Sequence, residues 1–476
     1  GPDDAGHATA LGRIGVIALV AGQAAEAGRW LERALALEEN PELWTELARA
    51  RALEGELETA EECCQRALAL DPGHFVALCR QAEILAQRDR VGAAIENLER
   101  ALAQQPDNPE ANYNLAFMLS LEGHSKAAIE SYGRALASLP EWPEALRQRG
   151  ELWLILKQPE PARRDLEAAA RLNPADALTR YHLGMLEILE DNAGAAAQAF
   201  LQVIEGAPDN TGLLLNCGIH MLELEQPEAA AQACRQVLAL APELAPAHST
   251  LGRALARLEE PEAAATAFAR ALQLDPELHE ALLNLATLRR RAGRLEEAEA
   301  LYLRCREIDP SGWHHEAGLA ALRQAEGRWS EAAAHFERAL ARQPGNYALL
   351  NDLGNVLQSS GRFDEALEHY RQAARAAPDE PSPPFNTAAL LFRIERYAEA
   401  IELFRGVVER WPEQSAAFTP LAHALLRECN WRNLGATVTR VVDLATREVA
   451  GDQEVTVSPF ALYSLPVEAE ALGVEL

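Results

Sequence analysis

Along almost the whole chain, small and apolar residues return at fixed places in a period of 34. Prolines recur at Pro72, Pro106, Pro140, Pro174, Pro208, Pro242, Pro276, Pro310, Pro344, Pro378 and Pro412, each 34 residues after the last. Counting from three residues past a proline gives repeats 75–108, 109–142 and onward to 381–414, with 41–74 and a slightly shorter 8–40 ahead of them. The eighth residue is always small, from Gly15 and Ala48 through Gly150, Gly184, Gly252 and Gly354 to Ala422. The twentieth is alanine from Ala27 to Ala400, and Leu434 then breaks the series. A fixed period of this length marks an array of one supersecondary unit rather than a set of separate domains.

The physical reading is a pair of short antiparallel helices per repeat. Such helices approach closely only where the crossing point carries no bulk, which Gly354 facing Ala366 would provide, and a large residue there would overpack by roughly 1–3 kcal/mol. Aromatic residues four places after the twentieth, including Tyr132, Phe200, Phe268, Tyr302, Phe336, Tyr370 and Phe404, are expected to fill the layer between repeats. The proline ends the second helix and turns the chain, and Glu-Gly-Arg at 326–328 and Ser-Gly-Arg at 360–362 are turn signals between paired helices. The prediction is an all-α protein with twelve full repeats and one altered terminal unit.

These residues resemble the tetratricopeptide repeat, and the resemblance runs from residue 8 to about residue 430. It implies an α-solenoid of about 12 to 13 repeats in which helix pairs stack into a right-handed superhelix, the first helix of each pair lining the concave face. It also implies a surface that binds peptides or proteins. A single repeat cannot bury its own apolar side, so stability is a sum over neighbours.

Charge and cysteine usage narrow the partners. With 44 basic and 72 acidic side chains the formal charge is −28, so a nucleic-acid backbone would be repelled. No apolar run is long enough to span a bilayer and none reads as a signal peptide, so a cytoplasmic protein without a membrane is expected. The seven cysteines form no Cys-x-x-Cys pair and no zinc spacing, which fits a reducing compartment, and no cofactor or metal is expected. Only Lys126 and Lys157 are lysines, a bias that reads as GC-rich bacterial coding. Gly1-Pro2 reads as the scar of a cleaved tag, with 1–7 a leader ahead of the repeats.

Beyond Pro412 the pattern changes. Residues 415–450 read as an altered terminal helix pair, and 451–476 as the start of a linker. The order Leu421, Ala422, His423, then Cys429, Asn430, Trp431, then Ser458, Pro459, Phe460 resembles the junction in O-GlcNAc transferases and Spindly-type proteins. That resemblance implies a parent protein O-glycosyltransferase that uses a nucleotide sugar, and a catalytic half that this chain does not hold. No catalytic residue carries over, and the fragment itself is expected to be inactive. Flagellin or another surface protein is the client that the resemblance suggests.

Three sets of first-helix residues are candidate binding sites. Asn114, Asn216, Asn284 and Asn386 are each the sixth residue of a repeat, and the transferase resemblance implies a ladder of such amides gripping a peptide backbone. Arg80, Gln148, His182, Thr250, Gly318, Asp352 and Pro420 interrupt it, and asparagine is also ordinary at that place. The second set is apolar: Tyr113, Phe117, Leu121, Leu154, Ile155, Tyr181, Met185, Ile188, Leu189, Leu215, Ile219 and Leu222. It is either an exposed stripe for an apolar client or buried by tight curvature. The third is basic: Arg253, Arg257, Arg289, Arg290, Arg291, Arg294 and Arg323 reverse the local sign of charge. These either steer an acidic client or complement helix C-termini. The clamp of Lys, Arg and Asn found in chaperone-binding members is absent, since Arg147 is followed by Glu151 where the asparagine should stand. The functional expectation is a superhelix that presents acceptor proteins for glycosylation. The alternative is a freestanding scaffold with no sugar chemistry, and a homodimer is compatible with both.

Overall fold

The computed structural model describes residues 2–207, 209–412 and 414–450. Among them the chain is an all-α solenoid of antiparallel helix pairs, one pair per period. First helices such as Pro41–Leu53, Pro109–Leu121 and Thr211–Glu223 begin behind residues whose side chains close the first turn. Asn40 accepts from the Leu43 N–H at 2.9 Å, and Asn108 and Asn210 accept from Ala111 and Leu213 at 3.0 Å. Second helices such as Leu57–Leu70 and Pro227–Leu240 stop shortly before the periodic proline. Proline disfavours helical backbone at the residue before it and has no N–H to donate.

The two helices of a pair are joined through one left-handed residue, the fifteenth of the repeat. Glycine stands there in part of the array, at Gly55 (φ 82°) and Gly361 (φ 82°) for example, but elsewhere Lys157 (φ 54°), Glu225 (φ 57°) and Glu259 (φ 60°) take the same conformation. The turn holds because the next N–H reaches back into the helix, as Gln226 does to the Met221 carbonyl at 2.8 Å. A side chain at positive φ costs roughly 1–2 kcal/mol, partly offset by the greater freedom of glycine in the unfolded chain. Glu225→Gly should therefore stabilise by about 0.5–1 kcal/mol. Urea unfolding of the variant checks this; a lower midpoint would mean that the Glu225 side chain itself holds the turn.

Packing follows the period with one correction. Every twentieth-position alanine from Ala27 to Ala400 is fully buried. Gly354, however, does not chiefly face Ala366: a Cβ there would run into the ring of Tyr370. The same holds for Gly184 and Gly252, where a Cβ would lie 2.7 Å from Cε1 of Phe200 and of Phe268. Side chains on a helix lean toward its N-terminus, so the aromatic one turn after the alanine covers the crossing point.

The chain divides into two compact units, Gly1–Pro242 and Glu243–Leu476. In the first, buried residues of neighbouring repeats share clusters, as Leu31, Ala48, Cys64 and Ile84 do, or Tyr132, Ala145 and Leu152. In the second, Phe336, Leu353, Tyr370, Leu391, Phe404, Leu421 and Leu434 form one continuous core. Each repeat thus buries its apolar side on its neighbours.

The ends differ from expectation in one respect. The first helix, Pro2–Val20, includes residues of the segment read as a leader. At the other end Phe418–Arg427 is followed by Trp431–Ala450, which at 20 residues is longer than the second helices before it. The expected linker 451–476, with Ser458, Pro459 and Phe460, lies outside the described residues. Among the described residues no helix is long and apolar enough to cross a membrane, and no group of three or more His, Cys, Asp or Glu could hold a metal ion.

Candidate protein-binding surfaces

In the first unit the apolar set divides. Phe117, Leu121, Ile155 and Leu189 are exposed, with Leu121 and Ile155 at 59% and 62%. Tyr113, Leu154, Tyr181, Met185, Ile188, Leu215 and Ile219 are half-buried. Leu222 is fully buried in the core and so leaves the candidate surface. Both tyrosines are held by ring contacts, Tyr113 within its own repeat and Tyr181 by the next. Tyr113 stacks on Trp142 at 4.5 Å between ring centroids, and the Tyr181 hydroxyl lies 3.0 Å from Nε2 of His220, whose ring stacks on Phe200. Burial pushes the Tyr181 phenol above its ordinary value, so it remains protonated at neutral pH.

The asparagines do not form one run. Asn216 is exposed and Asn114 half-buried in the first unit, but between them His182 is buried. In the second unit the Asn386 amide donates to Oδ1 of Asn351 at 2.8 Å, so this side chain bridges two adjacent first helices. Gly318 interrupts the second unit for a visible reason. A Cβ there would collide with Tyr302, whose hydroxyl lies 3.2 Å from that of Thr287.

Asn284 lies in a groove of about 520 Å³ built by the first helices of three consecutive repeats, Ala245–Arg257, His279–Arg291 and His314–Ala325. Arg253, Glu280, Arg290 and Trp313 line the same groove. Three of the candidate residues from the sequence, Arg253, Asn284 and Arg290, are therefore brought together. Arg253 is paired with Glu280 at 2.9 Å, whereas Nε of Arg290 is shut off from solvent and has no acceptor. Trp313 stacks on His314 at 3.8 Å and supplies an aromatic wall that the sequence reading missed. Its only signal in the sequence is its place as first residue of its repeat.

The basic set is less positive than its sequence suggests. Arg289 pairs with Glu297 at 3.1 Å, Arg294 reaches the same carboxylate at 3.8 Å, and buried Arg323 contacts Glu299 and, at 2.9 Å, Glu326. Much of the expected charge reversal is thus cancelled by nearby carboxylates, although the Arg257 and Arg291 side chains are exposed.

Sequence profiles described as tetratricopeptide repeat match residues 41–84, 215–279, 249–312 and 323–383, and one described as TPR repeat matches 82–123. No curated protein matches the chain in sequence. Among solved structures it is similar to yeast Tom70, with 18% identity, 89% of this chain and 96% of that one covered, and a TM-score of 0.44. A tetratricopeptide repeat protein from Parabacteroides merdae is 21% identical over 52% of this chain and 98% of its own, with a TM-score of 0.42. The APC/C hetero-tetramer Cut9-Hcn1 is 14% identical over 86% of this chain and 95% of that one, with a TM-score of 0.44.

Proposed function

We propose, from the premise that this chain carries a tetratricopeptide-repeat domain of the kind that binds proteins, that it is an interaction scaffold whose second unit holds an extended acidic segment of a client. The observation that carries the acidic reading is the groove of Arg253, Asn284, Arg290 and Trp313. A client carboxylate would pair with the terminal nitrogens of the half-buried Arg290 guanidinium, which lines the groove. The Asn284 amide offers both a donor and an acceptor to any peptide group, and Trp313 a flat apolar contact. Because the chain is strongly negative overall, an acidic client would be drawn to the few places where cations face solvent.

The test is a fluorescent Asp/Glu-rich peptide titrated against the full chain. Arg290→Glu should weaken it about tenfold or more, and Arg253→Glu less, since Arg253 already has Glu280. Affinity unchanged in both variants, or equal affinity for a Lys-rich peptide, would sink the acidic reading while leaving the scaffold intact.

A second reading rests on the altered terminal pair. The resemblance of Leu421, Ala422, His423, Cys429, Asn430 and Trp431 to the junction of O-GlcNAc transferases suggests a scaffold that presents acceptor proteins to a sugar-transferring partner domain. Reading the gene beyond Leu476 tests it. A frame running into two nucleotide-sugar α/β domains would support presentation, and a stop codon would leave the scaffold without sugar chemistry.

A further inference from the structure

The first helix, Pro2–Val20, is apolar on two sides. Leu11, Ala18 and Leu19 are buried, and Ala18 and Leu19 join the core of the first repeats. On another side Val16, Ile17 and Val20 stand at 36%, 67% and 78% exposure, in the i, i+1, i+4 spacing of a single stripe. Among the described residues nothing covers this stripe, and an exposed apolar face of this kind is a candidate docking surface. It borders a groove of about 420 Å³ whose floor is Gly12, Val16, Ile17 and Leu43. Gly12 lets Leu43 reach across, since a Cβ there would lie 2.6 Å from Cδ2 of Leu43.

Three carboxylates, Glu38, Glu42 and Glu46, line the same groove, against one cation, Arg13. The Glu46 side chain is partly exposed, and its pairing with Arg49 is loose, Nη1 to Oε2 being 3.8 Å. Glu42 is 3.6 Å from the His74 ring. An apolar floor beside under-satisfied carboxylates asks for apolar side chains and cations from one segment. An amphipathic helix with a basic flank supplies both at i, i+3 and i+4 spacing. A second copy fits poorly, because a two-fold contact of this face with itself would set the Glu38, Glu42 and Glu46 wall in the same interface as its own image.

We propose that the first two repeats form a docking groove for a basic amphipathic helix of a partner protein, with Val16, Ile17 and Leu43 holding its apolar face and Glu42 and Glu46 its cations. This site is separate from the groove of Arg253 and Arg290 and opposite to it in charge, so either can fail without the other.

The probe is a fluorescein-labelled peptide of about 18 residues, five helical turns, with Leu on one face and Lys on the other. Saturable binding to the full chain is expected, weakened about tenfold or more by Ile17→Glu and by Glu42→Lys with Glu46→Lys. Both changes lie on side chains that reach solvent, so helical circular dichroism should be unchanged; Ile17→Ser, a milder change, should weaken binding in the same direction. The double lysine variant should gain affinity for the same peptide with Glu in place of Lys. Unspecific attraction to the negative chain is excluded if Glu402→Lys with Glu428→Lys leaves binding intact. The proposal is overturned if Ile17→Glu and Ile17→Ser bind as wild type, or if a scrambled peptide of the same composition binds equally. It is also overturned if the peptide-free chain forms a dimer in sedimentation that Ile17→Glu abolishes, which would give the groove to a second copy.

Discussion

Tyr370→Ala should lower the unfolding free energy of the second unit by about 3–5 kcal/mol. The ring is fully buried at the centre of the core that runs from Phe336 to Leu434, and it lies over Gly354. Its hydroxyl donates to Oδ1 of Asn355 at 2.7 Å and reaches Oε1 of Gln358 at 3.3 Å, so part of the loss is polar. Tyr370→Phe separates the terms and should cost only about 1 kcal/mol. The decisive arm is a cycle with Gly354→Ala. In wild type the added methyl meets the ring and should destabilise by roughly 1–3 kcal/mol. In the Tyr370→Ala background the obstacle is gone, and alanine's better helix propensity should make the change neutral or favourable by up to about 1 kcal/mol. Urea unfolding followed by local hydrogen exchange would read both. Equal cost of Gly354→Ala in the two backgrounds would show that ring and glycine are not coupled.

Mild acid should loosen the first unit through His182. Its ring is buried, Nδ1 has no hydrogen-bond partner, and Nε2 is 3.8 Å from the Glu151 carboxylate. Burial, with the Arg147 charge adding to it, holds the imidazole well below its ordinary range, down to about 4. In the unfolded chain the same group titrates near 6.5. Between these values the unfolded state binds a proton that the folded state refuses, so stability rises with pH across the window. It is fully present above about pH 6.5 and is lost progressively toward pH 4. The drop from 6.5 to about 4 is worth about 3 kcal/mol. Burial raises the Glu151 carboxyl above its ordinary value, which works in the opposite sense, so the comparison must be with His182→Gln rather than with pH alone. Thermal midpoints measured from pH 7 to pH 4.5 should fall more steeply in wild type than in the variant. Parallel curves would mean that water reaches the ring.

His182 also shows why the candidate site was only partly legible. From the sequence it was a gap in a row of asparagines; in the fold it is a buried group between two repeats. Asn386 was read as a free rung, yet it bonds to Asn351 of the previous repeat. The arginines counted as a positive patch meet carboxylates that the sequence places far away, as Arg323 meets Glu299. Arg253, Asn284 and Arg290 were each singled out, but nothing in their spacing said that they share a groove with Trp313.

What the sequence by itself determined is everything that the period repeats: helix pairs, small residues at the crossings and prolines after the second helices. A requirement imposed identically at every repeat is visible because only a few residue types meet it. The tertiary structure decided what happens once. It holds Lys157, Glu225 and Glu259 in a left-handed turn that glycine marks elsewhere, because the packing of the flanking helices outweighs the cost at one residue. It also sets which arginines meet carboxylates and which tyrosines are locked. Long polar side chains find partners on the next helix, and that choice depends on where neighbouring repeats place their ends, which no single period contains.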